Sequence, residues 1–390
     1  MKNRADIEET VIVSMVTESR AALRELIDLL QEVDRRWAGE EWNLHSPEDV
    51  AAAHRALMHI LEGGLVGFFE YDVSRPEFRR IVTPSRKFTG DNGDAIYFDA
   101  PVSPGHAYVV RGNVRGAVYF SLTVELGTES GAMAAATGGV LNDTAMDIDG
   151  DGGFEVYLGG ERRERNWLPL GEGASRVTTR SYFECERCAA ADPAREPLLS
   201  IEAIDGGAAP PPPSDGSVAE GMRRVAGFVR SRTLGMPPMA RMEEQPPFVS
   251  ITPNAFPPPV VPGNFGLAAF DAHYSLAPYF LGPDEALVIE GRWPTCRYAS
   301  VSLWNRFQQS FDYVNRRTSL NRVQTELEAD GGFRMAIAHE DPGVPNWLDT
   351  QGNPLGLAFW RFMLAEGEVE TPRASVVKLA ELRASSQESA

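Results

Sequence analysis

His339 stands beside Glu340 and Asp341 in a chain with only 6 histidines, and a neighbouring carboxylate is what holds an imidazole ready as a general base. Upstream, "NRFQQSFDYVNRR" from Asn305 to Arg317 sets amides, a phenol and guanidiniums among Phe307 and Phe311, the mixture that lines a pocket with a few placed polar groups. These residues allow a mechanism to be written. His339 would be the base, Tyr313 an acid or hydrogen-bond donor, and Arg306 the stabiliser of developing negative charge. Asn305, Asn315, Arg316, Asn346, Trp347 and Trp304 would hold the ligand. The structural alternative is a polar surface loop, a solvent-exposed histidine, and a core Trp347 whose neighbour Asn346 closes a turn.

Other chemistries are poorly supported. The chain has no Gly-x-Ser-x-Gly elbow, phosphate-binding loop, His-Glu-x-x-His or strand-linked dinucleotide fingerprint. Cys185 and Cys188 form one CxxC without a second pair of ligands, and read as ordinary thiols at the end of a strand. Asp147, Asp149 and Asp151 imitate the start of a calcium loop, yet Leu158 sits where the closing glutamate belongs. "GDNGDAIY", with Asp91, Asn92 and Asp94, reads as an Asx-rich turn capping a strand. No metal and no cofactor are expected. A net charge of −18 argues against nucleic acid, and no stretch approaches the roughly 18 apolar residues of a membrane span. The start lacks a signal-peptide pattern, so the cytoplasm is the expected location. The expected partners are a small-molecule ligand and at most further copies of the same chain.

The elements that must position these residues change class along the chain. Ala5 to Trp37 and "SPEDVAAAHRALMHILEGG" have helical spacing, the second with Ser46 as N-cap and Pro47 at the first position. "HAYVVRG", "AVYFSLTVE" and "FEVYLGG" then read as strands. "DGGAAPPPPSDGS" is a linker, "SVAEGMRRVAGFVRSRTLG" a helix, and a second run of strands begins at about Ala286. The expected division is helices over 1–80, a first β-sandwich over 81–204, linker and helix over 205–250, a second sandwich over 251–372, and a fraying tail over 373–390.

The two β regions are copies. A shift of 179 places Gly112 on Gly291, Tyr119 on Tyr298, Ser121 on Ser300, Leu141-Asn142 on Leu320-Asn321 and Asp151-Gly-Gly-Phe154 on Asp330-Gly-Gly-Phe333. One further residue aligns Asn166-Trp167-Leu168 with Asn346-Trp347-Leu348. Around each Asp-Gly-Gly the alternation predicts a β-hairpin whose glycines take positive φ. Where the second copy has its polar loop, the first has "GTESGAMAAATGGV", so the second copy is expected to carry the site.

"DEALVIEGRWPTCRYASVSLWNRF", the DGGF and PNWLD elements of the second copy and "RKFTGDNGDAIYFDA" of the first resemble bacterial proteins of the Domain of Unknown Function 1214 family. The likeness is clearest over about Gly282 to Leu364 and looser over Arg86 to Phe183, the first half resembling a diverged copy. It implies jelly-roll-like β-sandwiches and no defined activity. The expectation is therefore a mainly β protein of two related antiparallel jelly-roll-like sandwiches with N-terminal helices and a linker helix. It would be an enzyme acting without nucleotide on a small, largely apolar molecule, by hydrolysis or elimination, in a cleft between the domains. The alternative is a non-catalytic carbohydrate- or lipid-binding sandwich with Trp304 and Trp347 as platforms; a third reading is purely structural.

Overall fold

The computed structural model describes residues 16–206, 209–264 and 269–388. Helix α1 (Glu18–Arg36) starts where the Thr17 hydroxyl accepts the Arg20 N–H, and carries Arg35 and Arg36 in its last turn, against the negative end of its dipole. The earlier part of the predicted helix, up to residue 15, lies outside the described residues. Helix α2 (Pro47–Gly64) begins as expected with the Ser46 hydroxyl on the Asp49 N–H. Helix α3 (Asp215–Arg232) opens with a reciprocal Ser214–Ser217 capping box, so it begins inside the stretch read as linker. The helices share a core of Val33, Trp37, Ile60, Phe68 and Phe228.

The first β domain contains β1 (Arg79–Arg80), β2 (Ala95–Pro101), β3 (Tyr108–Asn113), β4 (Tyr119–Leu126), β5 (Ala136–Asn142), β6 (Gly153–Leu158), β7 (Trp167–Leu168), β8 (Ala174–Tyr182) and β9 (Leu199–Ala203). The second contains β10 (Ala272–Phe280), β11 (Glu285–Gly291), β12 (Tyr298–Trp304), β13 (Ser319–Asn321), β14 (Phe333–Ala338), β15 (Trp347–Asp349), β16 (Leu355–Met363) and β17 (Arg373–Lys378). Helix α4 (Leu379–Glu388) closes the described chain. The first domain's sheets run β1-β2-β8-β4-β5 and β7-β6-β3-β9, the second's β10-β16-β12-β13 and β15-β14-β11-β17. Strand for strand the two orders coincide, with β1 as the only addition.

The register agrees as well. Ser121 faces Asn142 as Ser300 faces Asn321, and Gly112 faces Phe154 as Gly291 faces Phe333. Both glycines are needed for a close approach, since a Cβ would lie 2.5 Å from the Phe154 ring in one copy and 2.8 Å from the Phe333 ring in the other. Each sandwich closes over its own core, with Phe120, Val156 and Leu158 in the first and Val301, Met335 and Trp360 in the second.

Three expectations need correction. The Asp-Gly-Gly turns do have glycines at positive φ, Gly152 at 86° and Gly331 at 81°, but they do not close hairpins. The chain before each turn comes from the other sheet, and β6 pairs with β3 and with β7, as β14 does with β11 and β15. The alternation before the turn reflects a crossing between layers. The second run of strands begins earlier than Ala286, because β10 starts at Ala272, inside the domain expected from 251, and pairs with β16 along its length. In the tail read as fraying, or as one short helix over "ASVVKLAELRA", residues 373–378 instead form β17 on β11, and the helix α4 begins only at Leu379.

The domains meet through equivalent sheets. Around Tyr119 and Tyr182 of the first and Tyr274, Tyr298, Trp304 and Phe359 of the second lies a continuous aromatic core. Asp94, just before β2, accepts from Tyr298 at 3.1 Å and Asn321 at 3.2 Å. Asp271, just before β10, accepts from Tyr119 and from Asn142 at 2.7 Å. Each triad is the other with its donors and acceptor exchanged between domains. Arg297 donates to the Val118 carbonyl, its own counterpart in the alignment, at 3.0 Å. The interface is thus isologous, a pseudo-twofold dimer within one chain.

Candidate functional site

The segment Lys87–Asp91 joins the first domain to the polar loop of the second, beside the site. Gly90 N–H reaches Gln308 O at 2.8 Å, Asp91 Oδ1 accepts the Ser310 N–H at 2.8 Å, and the Trp304 indole donates to Asp91 O at 2.9 Å. Lys87 Nζ donates to Phe311 O at 2.6 Å and stands 4.0 Å from the centre of the Tyr313 ring. The Asx-rich stretch is therefore the latch by which the first domain grips the polar loop of the second.

Beside this latch, between the β8–β9 loop and the β12–β13 loop, lies a pocket of about 430 Å³. Cys188, Tyr313 and Ser319 are buried in its floor, while Arg187, Arg316 and Arg317 are exposed on its walls. Asp349 holds Arg316 at 2.7 Å, the Pro345 carbonyl holds Arg317, and Asp312 accepts from Asn315 at 2.9 Å. Cys188 Sγ is 3.5 Å from Ser319 Oγ. Burial, reinforced by the Asp94 carboxylate, pushes the Cys188 thiol up to about 12, and burial drives the Tyr313 phenol far above its ordinary range. Asp94 is raised to about 7, also by burial. The floor thus offers neutral hydrogen-bonding groups at neutral pH, and the walls offer three guanidiniums alongside the carboxylates of Glu186 and Asp192.

Of the nine residues singled out in the sequence, Tyr313, Asn315 and Arg316 line this pocket. The remainder are elsewhere. Arg306 pairs with Asp49 of α2 at 3.2 Å and reaches the Trp42 carbonyl. Asn305 caps its own loop, accepting from Phe307 N–H at 2.9 Å and Gln309 N–H at 3.1 Å. Trp304 is 3% exposed, inside the domain interface. His339 has both ring nitrogens engaged, Nδ1 with Thr350 Oγ1 at 2.6 Å and Nε2 with the Leu281 carbonyl at 3.3 Å. The carbonyl can only accept, so Nε2 donates to it. Asn346 donates to Glu326 O and Arg334 O and accepts from Glu326 N–H, and Trp347 donates to Ala338 O; Asn166 and Trp167 do the same work in the first copy. The base, acid and anion stabiliser of the written mechanism are therefore not brought together.

Cys188, Ser319 and Arg187 line the pocket but were not site candidates in the sequence, and Asp94, whose carboxylate acts on Cys188 from outside that lining, was read there only as part of an Asx-rich turn. Asp94 had a signal, since its partners Tyr298 and Asn321 occupy positions that repeat as Tyr119 and Asn142. Cys188 had only an isolated CxxC. Among the described residues there is no cluster of metal-ligating side chains, and in the acidic turn Asp149 Oδ1 is occupied by the Asp151 and Gly153 N–H groups. No described helix is long and apolar enough to cross a membrane.

A crystal structure of an uncharacterized protein from Burkholderia cenocepacia is similar over 93% of this chain and 98% of its own, with 28% identity and a TM-score of 0.80. A Vibrio parahaemolyticus protein, VPA0106, aligns over 83% of this chain and 100% of its own at 12% identity and a TM-score of 0.48. No curated protein matches. The model of the family described as "Protein of unknown function (DUF1214)" matches residues 98–183, in the first copy, where the sequence led us to expect the looser likeness. Residues 98–183, within the first β domain, are thus similar to the DUF1214 family.

Proposed function

We propose that the protein binds a small polar molecule carrying an anionic group in the pocket between its two β domains. The observation that carries this is the pocket of about 430 Å³ with Arg187, Arg316 and Arg317 on its walls. Guanidiniums are suited to carboxylate or phosphate oxygens, and Tyr313, Ser319 and Asn315 supply further hydrogen bonds. The ligand is therefore polar, in contrast to the largely apolar molecule expected from the sequence. Binding is favoured over hydrolysis or elimination because the pocket's thiol and phenol are both held protonated and His339 is occupied elsewhere. A sugar or lipid platform is not favoured, because Trp304 is buried and Trp347 donates its N–H to its own sheet. Three free cysteines, Cys185, Cys188 and Cys296, support a cytoplasmic setting.

The test is a thermal-shift screen of short carboxylates, hydroxy acids and sugar phosphates, with calorimetry on any compound that raises the melting temperature. Arg187→Ala and Arg317→Ala should each weaken that compound about tenfold or more, the weight of one charge-assisted hydrogen bond. Arg163→Ala and Arg165→Ala, in the first copy's loop, should leave the affinity unchanged. A screen without hits, or equal losses in both sets, would overturn the assignment.

A further inference from the structure

Tyr313 is 7% exposed, and its ring is held on two sides. Lys87 Nζ stands 4.0 Å from the ring centre, and a Cβ on Gly93 would lie 3.0 Å from both Tyr313 Cγ and Cys188 Sγ. The end left open is the hydroxyl. It makes no hydrogen bond with any described residue and is not sealed in, and it belongs to the floor of the pocket between the β8–β9 and β12–β13 loops. Other buried tyrosines engage that group: Tyr108 donates to the Val73 carbonyl at 2.9 Å, Tyr298 to Ser300 Oγ at 2.6 Å, and Tyr119 to Asp271. Tyr274 and Tyr279 also lack a partner among the described residues, but neither lines this pocket. A phenol both donates and accepts, so an open one in a concave site is fitted to a polar group of a ligand.

Depth decides what kind of group that is. The guanidiniums of Arg187, Arg316 and Arg317 are exposed on the walls, whereas the floor has the neutral hydroxyls of Tyr313 and Ser319 and the Cys188 thiol. Lys87 lies behind the Tyr313 ring, donating to the Phe311 and Ser310 carbonyls, and does not line the pocket. A carboxylate or phosphate lowered to the floor would give up its water without meeting a guanidinium, and the Asp94 carboxyl stands behind the thiol. Held at the walls, the same anion keeps both water and guanidinium. The walls also carry acids. Glu186 has no ion pair among the described residues, and Asp192 reaches Arg195 only at 3.7 Å. A bare anion gains from the arginines and loses at these carboxylates, whereas hydroxyls accept from the former and donate to the latter. The volume of about 430 Å³ leaves room for much more than an anionic head.

We propose that the ligand is a hydroxylated anion, a short polyol chain ending in a carboxylate or phosphate, with its charged head among the wall arginines and a hydroxyl on the floor against Tyr313 and Ser319. Tyr313 is then the residue that selects for that hydroxyl. This rests on the reading of the pocket as an anion-binding site, and adds the class of the ligand and the way round it lies.

Calorimetry on the full chain compares anions that share a head and a carbon count and differ in hydroxyls: glycerate with propionate, gluconate with hexanoate, and glycerol 3-phosphate with propyl phosphate. In at least one pair the hydroxylated member should bind about tenfold tighter or better, because the bare analogue leaves the floor's polar groups unpaired. The head of that pair separates carboxylate from phosphate. Tyr313→Phe removes an oxygen that bonds no described residue, so it should melt as the wild type does. It should weaken the hydroxylated member about tenfold and leave the bare member unchanged, while Arg187→Ala weakens both. If Tyr313→Phe melts early, Ser319→Ala is compared in the same way. Equal binding within every pair, or a Tyr313→Phe effect that is absent or the same for both members, overturns the floor hydroxyl and leaves the anion pocket standing. Binding by no member of any pair overturns the anion pocket itself, and this inference with it.

Discussion

Asp94 shows how much a single buried carboxyl can reveal. Its folded pKa of about 7 lies above the ordinary value of 3.8, so the folded protein holds a proton that the unfolded chain has released. Between those two values the folded state binds more protons, and stability therefore falls as pH rises, by on the order of 4 kcal/mol in all. Asp94→Asn should remove that slope. Its melting temperature should match the wild type near pH 4 and exceed it at pH 8; a constant difference across the range would mean that Asp94 is not the titrating group. Asn346 makes a second test at this scale. It is 3% exposed and holds three backbone groups, so Asn346→Ala should cost about 2–3 kcal/mol in urea denaturation, whereas the more exposed Asn166→Ala should cost about 1. Equal losses would refute the idea that burial sets the difference.

Elements were more legible than sites. The cap at Ser46 and the strands around Val110, Leu122 and Val156 follow from local chemistry, and the sequence places them where they fold, whereas the cap at Ser214 lay hidden in the stretch read as linker. Local pattern does not tell which strand pairs with which, and that is why the Asp-Gly-Gly turns resemble hairpins while joining different sheets. The candidate site failed for a related reason. The loop from Asn305 to Arg317 is rich in polar and aromatic groups, but much of what it recognises is its own chain: Phe307 packs on Trp37 and Trp42, Arg306 on Asp49, and Ser310 on Asp91. The bland loop of the first copy is equally committed. A Cβ at Gly131 would stand 1.9 Å from the Arg224 carbonyl and one at Gly227 2.0 Å from the Ser130 carbonyl, so its small residues allow α3 to lie directly on it. Composition shows that a loop makes contacts, and only the fold shows with what.

For the molecule as a whole, the duplication read from aligned residues is repeated in the order of every strand after β1. What no alignment displays is that the copies face each other through equivalent sheets. The connection between them, from Pro210 to Ser214, is exposed throughout. Cutting a protease site inserted there should leave two fragments that still co-elute on gel filtration and melt together, since the crossed triads and the aromatic interface lie elsewhere; separation of the fragments under native conditions would show that the connection holds the halves in place. A homodimer must accept every mutation twice, once at each end of its axis. A chain that contains both halves is released from that rule. Here one half could acquire the Lys87–Asp94 latch and the other its receiving loop, so that an asymmetric pocket lies beside a symmetric seam.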